Sequence, residues 1–344
     1  MLMLFNGGNK IVSVKFIYSK IIEKKYGLQI LDLLKKFNCE LVEVPEGVSS
    51  QLIKQEIQKI NINEPIVLIG GPSILPFAVV PNPAFGDGDS DVETDQFYAS
   101  GEDLYQTTRV VSRIPDENIN SRLEVFENIL YNQLKYLNYS KKLESNNSLN
   151  YSAYQFVNIE NYMDLEFNFF TNRLTCPLSN YMNIDNNQFS NKNIIYFNMH
   201  GTKENGNFYG QDNSNFPIAF TPQNIVANNG SSIFTEACYG GYLDNRNVSN
   251  SIPLSFLYHG ASNIVCSSRV AYGSLNPPIY FADLLGYFLF NGIKSGLTIG
   301  EAFKNAKNNY CSKVLSINGH LTPEDQKTIL EFNLYGIPTF IQHY

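Results

Sequence analysis

NIIYFNMHG (193–201) and SSIFTEACYGG (231–241) are the two runs from which the rest of this chain is read. Each holds four or more apolar or β-favouring residues bounded by Asn, Gly or Ser, the pattern of a short buried strand. Each also ends on a chemically capable side chain: His200 followed by Gly201, and Cys238 followed by Tyr239, Gly240 and Gly241. In an α/β sheet, side chains at strand ends stand where loops open a cleft. A histidine and a cysteine offered by two such ends suit nucleophilic catalysis by sulfur.

Working outward, the runs sit in an alternation of strands and helices. A strand is expected at 10–18 and a helix at 20–37, with Ile22, Tyr26, Ile30, Leu33, Leu34 and Phe37 on one face. Strands at 39–44 and 66–69 flank a helix at 49–60. A strand at 107–114 then precedes a long helix ending near 137. After a polar stretch at 138–150, strands are expected at 151–157, 194–199, 232–237, 263–267 and 339–343, with helices at 279–290 and 298–311. Thr298 and Glu301 form a capping box for the last helix. This is the signature of mostly parallel sheets covered on both faces. The expectation is an α/β chain of two α/β/α sandwich subdomains, 1–140 and 141–344, with the polar stretch as boundary.

Composition narrows the function classes. The 344 residues are 43% hydrophobic and 13% aromatic, ample for a core. A net charge of -7 without any Lys/Arg block argues against nucleic acid as partner. No run reaches the about eighteen apolar residues of a membrane span. The start, MLMLFNGGNK, has no basic n-region or cleavage site. Five scattered cysteines signal neither a disulfide framework nor a zinc site. A cytoplasmic location is expected, or secretion if a leader has been trimmed.

A thiol with a pKa of about 8.5 needs a base or a positive environment to attack a carbonyl at neutral pH. His200 supplies the base. Gly201 lets a substrate approach the backbone, so the N–H groups of Gly201 and Cys238 are candidates for an oxyanion hole, with Tyr239 and Gly240 as further substrate contacts. His259, also followed by glycine, reads as a helix-to-strand turn, and Cys266 as a core residue inside NIVCSS. No GxSxG, HExxH, Walker A or GxGxxG is present. In GDGDSDVETD (86–95) the alternating Asp87, Asp89 and Asp91 are a candidate structural calcium site, against a solvated acidic loop; no cofactor is required by the chemistry.

Taken together these blocks resemble the gingipain family within the caspase-type clan of cysteine peptidases. PIVLIGGPSILP (65–76) resembles its strand leading to a proline. TDQFYAS (94–100) and TTRVVSRIP (107–115) resemble its Ser/Thr-Asp-x-x-Tyr motif and its arginine-bearing strand. GASNIVCSSRVAYG (260–273) resembles the strand after the nucleophile. FNLYGIPTFIQ (332–342) resembles the closing strand, with Ile337 in place of the usual aspartate. The resemblance implies a cysteine endopeptidase whose caspase-like second subdomain carries Cys238 as nucleophile, His200 as general acid/base, and Gly201 in the oxyanion hole. It also implies a carboxylate orienting the histidine, but the matching position falls near Tyr154 or Gln155, neither of them acidic. Gln155 can still accept from imidazole N–H. For a family member that cleaves after arginine, the pocket acid matches Asp164, with Glu160 and Glu166 beside it. The implied partner is a protein or peptide substrate. Two other readings stand beside the endopeptidase: a catalytically silent peptide-binding relative, and a caspase-like or separase-like protease switched on by a partner.

Overall fold

The computed structural model describes residues 13–142, 147–167 and 172–343. Ten strands form one sheet in the order Glu40–Val44, Lys15–Ser19, Ile66–Ile69, Val111–Ile114, Phe332–Gly336, Asn263–Ser267, Ser232–Thr235, Ile194–Asn198, Leu149–Ala153, Asn172–Cys176. Every neighbouring pair is parallel except one: Asn263–Ser267 runs antiparallel to Phe332–Gly336. Two parallel half-sheets of opposite direction therefore meet at that pair. The α/β expectation holds, with both halves sharing a single sheet.

The central strands are buried on both faces, which is why they read as continuous apolar runs. Alternate residues feed two cores. Ile195, Phe197, Ile233 and Ile264 join one cluster, with Phe256 and Leu257 of helix Ile252–Tyr258. Ile194, Tyr196, Phe234 and Val265 join the other, with Leu285, Leu289 and Phe290 of helix Phe281–Lys294 and Phe303 and Tyr310 of helix Ile299–Asn318. Thr298 caps that last helix, its side chain accepting from Glu301 N. No helix among the described residues is long and apolar enough to cross a membrane.

Several elements differ from expectation. The helix expected at 20–37 is two, Ile21–Tyr26 and Gln29–Lys36, because the chain turns at Gly27 with φ of 78°. The strand at 151–157 ends at Ala153 and gives way to a helix, Val157–Phe167. From the polar stretch at 138–150, Ser140–Lys142 pairs with Ile341–His343. The first residues of the strand expected at 10–18 fall outside the described ones.

The motif residues of the first half hold the sheet together. Arg113 is fully buried and donates to Asp95 through Nε and Nη2 at 2.9 and 2.6 Å, while Nη1 reaches the carbonyls of Gly70 and Leu75. Thr94 Oγ1 donates to the Leu330 carbonyl and the Tyr98 hydroxyl to that of Pro76. A buried guanidinium is tolerated because its donors are met by a carboxylate and carbonyls.

Candidate functional site

Strands Ile194–Asn198 and Ser232–Thr235 are parallel neighbours, with Phe197 opposite Thr235. His200 and Cys238 each lie three residues beyond that register pair, so both leave the same edge of the sheet. Glu236 N donates to the Phe197 carbonyl at 3.0 Å and keeps the two exits together. Gly201 then packs on the peptide of Cys238. A Cβ built at Gly201 would stand 2.1 Å from the Cys238 carbonyl oxygen and 3.2 Å from Ala237 Cβ. Only hydrogen fits there.

The turn after Cys238 is locally strained and externally braced. Tyr239 has φ of 55°, a left-handed conformation uncommon for a bulky residue. Tyr239 N donates to the Arg269 carbonyl, Gly240 N to that of Ala237, and Gly241 N to that of Ser267. The Ala271 N–H donates to Cys238 Sγ at 3.3 Å. Burial pushes the half-buried Cys238 thiol up to about 11, with the Ala271 N–H pulling the other way.

His200 opens a small hairpin. His200–Gly201 pairs with Phe208–Tyr209, which pairs with Ile218–Phe220. Gln211, in the connection, sits with Oε1 2.7 Å from His200 Nε2, and its own amide nitrogen donates to the Asn213 carbonyl at 2.9 Å. That second bond fixes the amide orientation, so Oε1 is the acceptor, Nε2 carries the imidazole proton, and Nδ1 holds the lone pair. Phe156 and Phe216 flank the ring, each with its centroid 5.2 Å away. Burial lowers the His200 pKa, against an opposing pull from Gln211. Thiol and imidazole are therefore both neutral at pH 7, which suits general-base activation rather than a standing ion pair.

A cleft of about 480 Å³ opens beside His200, Gly201, Tyr209 and Phe216. Cys238, Tyr239 and Gly240 line a depression of about 10 Å³ next to it, and Thr202 and Asn205 border both.

The acidic run lies against this site in a bracing role. Asp89 accepts from the Tyr239 hydroxyl at 2.5 Å, Val270 N at 2.9 Å and Lys327 Nζ at 2.7 Å. Asp87 accepts from Lys327 and from the Tyr272 hydroxyl. Asp91 and Glu93 hold Arg269. The oxygens a calcium ion would need already carry a buried lysine and an arginine, and no group of three metal-ligating side chains is present among the described residues. The residues do not fit the ion.

The expected pocket acids lie on helix Val157–Phe167, where Asp164 is ion-paired with Arg173 and Glu166 is exposed. Glu160 is buried 3.8 Å from Arg173, and burial raises it to about 7. Among the described residues no hydrogen bond or ring contact joins Asp164 or Glu166 to His200 or Cys238. Gln155 lies in the turn Tyr154–Phe156, and it is Gln211 that bonds the ring. His259 Nδ1 bonds back to the Ser255 carbonyl, and Cys266 is fully buried. Sequence reasoning missed Gln211, Lys327 and Arg269; they reach the site through folding alone.

No protein-family model and no curated protein matches the chain. Among solved structures it is similar to the Arg-specific cysteine proteinase gingipain R, at 15% identity over 96% of this chain and 78% of that one, with a TM-score of 0.64. It is also similar to the complex of pro- and mature domains of the Porphyromonas gingivalis protein, at 16% identity over 95% and 79% with a TM-score of 0.63. A further structure described as a protease matches at 13% identity over 96% and 78%, with a TM-score of 0.60. The chain has the gingipain fold. These neighbours are cysteine proteinases or proteases, and at 13–16% identity the likeness is one of architecture.

Proposed function

We propose that this protein is a cysteine endopeptidase with Cys238 as nucleophile and His200 as general acid/base. The observation that carries the reading is the seating of Gly201 on the Cys238 carbonyl, at the exits of two adjacent parallel strands. An oxyanion site needs both backbones together, and the glycine is what allows that approach. Nδ1 of His200 takes the thiol proton as Sγ bonds the peptide carbonyl carbon. The developing oxyanion is held by the N–H groups of Gly201 and Cys238. His200 returns the proton to the leaving amine as the C–N bond breaks, and a water activated by the same nitrogen hydrolyses the thioester. Gln211 replaces the carboxylate of other dyads as the group that fixes the tautomer.

The half-buried thiol, its pKa pushed up by burial, favours a second form of this reading, a protease whose cleft is completed by a partner or substrate. An acyloxymethyl ketone peptide probe tests both. Labelling of wild type and not of Cys238→Ala is expected, faster with an activating partner under the second form. Absence of labelling with any residue before the ketone, in a folded protein, overturns the enzyme reading in favour of a silent peptide binder.

A further inference from the structure

Helices Phe281–Lys294 and Ile299–Asn318 form a hairpin that is tight at its closed end and parted at the other. A Cβ built at Gly292 would stand 2.8 Å from Ala302 Cβ, so the two backbones meet beside the turn. Toward the start of the first helix and the end of the second, a cavity of about 740 Å³ lies between them. Leu284 and Phe288 face it from one helix, Val314 and Ile317 from the other, each pair at the spacing of one helical face. Tyr162 of helix Val157–Phe167 and the start of helix Pro323–Glu331 complete its walls.

Among the described residues two charged side chains border the cavity, and one of them is open to a ligand. Asp325 is buried and fully engaged: Oδ1 accepts from the Tyr310 hydroxyl, and Oδ2 accepts from Thr322 N at 2.9 Å and Thr322 Oγ1 at 2.8 Å. Lys313 lies on the exposed rim, one turn before Ile317, which is 61% exposed. No hydrogen bond or ion pair holds its ammonium among the described residues. Apolar walls with one unpaired cation complement an apolar body that carries one negative charge. Phe281, also in the wall, has φ of 50°, uncommon for a bulky side chain. It is held there by Ala282 N, which donates to the Tyr272 carbonyl at 3.1 Å, and by a ring contact with Tyr272 at 5.8 Å. Conformations of this kind gather at ligand sites, where the surroundings over-determine them.

We propose that this cavity binds a small amphiphile with a single carboxylate, its apolar chain lying between the two helices and its head on Lys313. The volume falls within the range of about 300–1,000 Å³ typical of small-ligand sites. One lysine balances one charge, which fits a carboxylate better than a phosphate of about two charges. A partner's helix, about 10 Å across, would fill this space in fewer than about two turns, too little contact to hold a protein. Binding there does not require Cys238 to be a nucleophile.

Calorimetric titration of the full chain, below the micelle range, compares decanoate with decanol and decyltrimethylammonium. Decanoate should bind at one site per chain, about three- to fivefold more tightly than decanol, the worth of one exposed ion pair. Octanoate, shorter by two methylenes, should bind about fifteenfold more weakly than decanoate. Lys313 and Ile317 are exposed, so substitutions there keep the fold. Lys313→Glu should reverse the preference in favour of decyltrimethylammonium, and Ile317→Asp should weaken decanoate at least about tenfold. Equal binding of the three probes, an anion preference that Lys313→Glu leaves in place, or decanoate binding untouched by Ile317→Asp overturns the proposal. Absence of decanoate binding overturns it as well, and capture of an amphipathic helical peptide in its stead assigns this face to a protein partner.

Discussion

Replacing Gly201 by alanine puts the assignment of the site at risk with a single methyl. The added carbon would stand 2.1 Å from the Cys238 carbonyl oxygen, more than an ångström inside ordinary contact, and the opposing atom is backbone rather than the end of a flexible side chain. Either the His200 strand or the Cys238 turn must move by about that distance. Overpacking of this kind costs about 1–3 kcal/mol of stability. A displacement of about 1 Å between reacting groups costs on the order of 100-fold in rate. Gly201→Ala should therefore lower the second-order labelling rate of Cys238 about 100-fold while the urea midpoint falls only modestly and the far-ultraviolet circular dichroism is kept. Labelling at the wild-type rate, with an unchanged midpoint, would refute the argument that Gly201 and Cys238 share one substrate-binding backbone.

Gln211→Glu places a carboxylate on His200 Nε2, which favours the charged imidazole; the acid limb of the pH–rate profile should move to higher pH, and an unmoved limb would separate Gln211 from the reaction. Lys307 is buried against Gln96 and the Phe332 carbonyl, and burial pushes it down to about 7 from about 10.5. Its folded value lies below its unfolded one, so the unfolded state binds more protons between those values, and unfolding free energy should fall as pH drops from 10.5 to 7. Lys307→Met should flatten that slope in urea titrations. Asp95→Ala strands the Arg113 charge in the core and should cost about 3–5 kcal/mol, with a midpoint loss worth under 1 kcal/mol counting against the pair's role.

Strands were the legible part of this sequence, since a sheet buried on both faces demands continuous apolar runs, and Ile66–Ile69 and Asn263–Ser267 fall where the runs do. The common exit of His200 and Cys238 follows from those runs. What stayed hidden depends on long-range closure. Asp87, Asp89 and Asp91 alternate like ion ligands locally, but their partners Arg269 and Lys327 lie far downstream and turn the run into a brace. Gln211 sits in a hairpin connection whose path no periodicity reveals. The aromatic and β-branched residues of NYSAYQFV hid the helix that starts at Val157, and with it the pairing of Asp164 to Arg173.

Strand Phe332–Gly336 lies in the middle of the sheet, between Val111–Ile114 and Asn263–Ser267, yet it comes after every other strand of that sheet in the chain. Until the ribosome has released it, each half-sheet must wait with an open edge, and unpaired edges invite association with other chains. The closing pairings span most of the chain, so assembly of the sheet is expected to be slow and late. For a proposed protease this has a use: the Ser267 carbonyl that tethers Gly241 behind Cys238 belongs to the strand that Phe332–Gly336 locks in place. On the proposed reading, the brace behind Cys238 is therefore complete only once that last strand has been made.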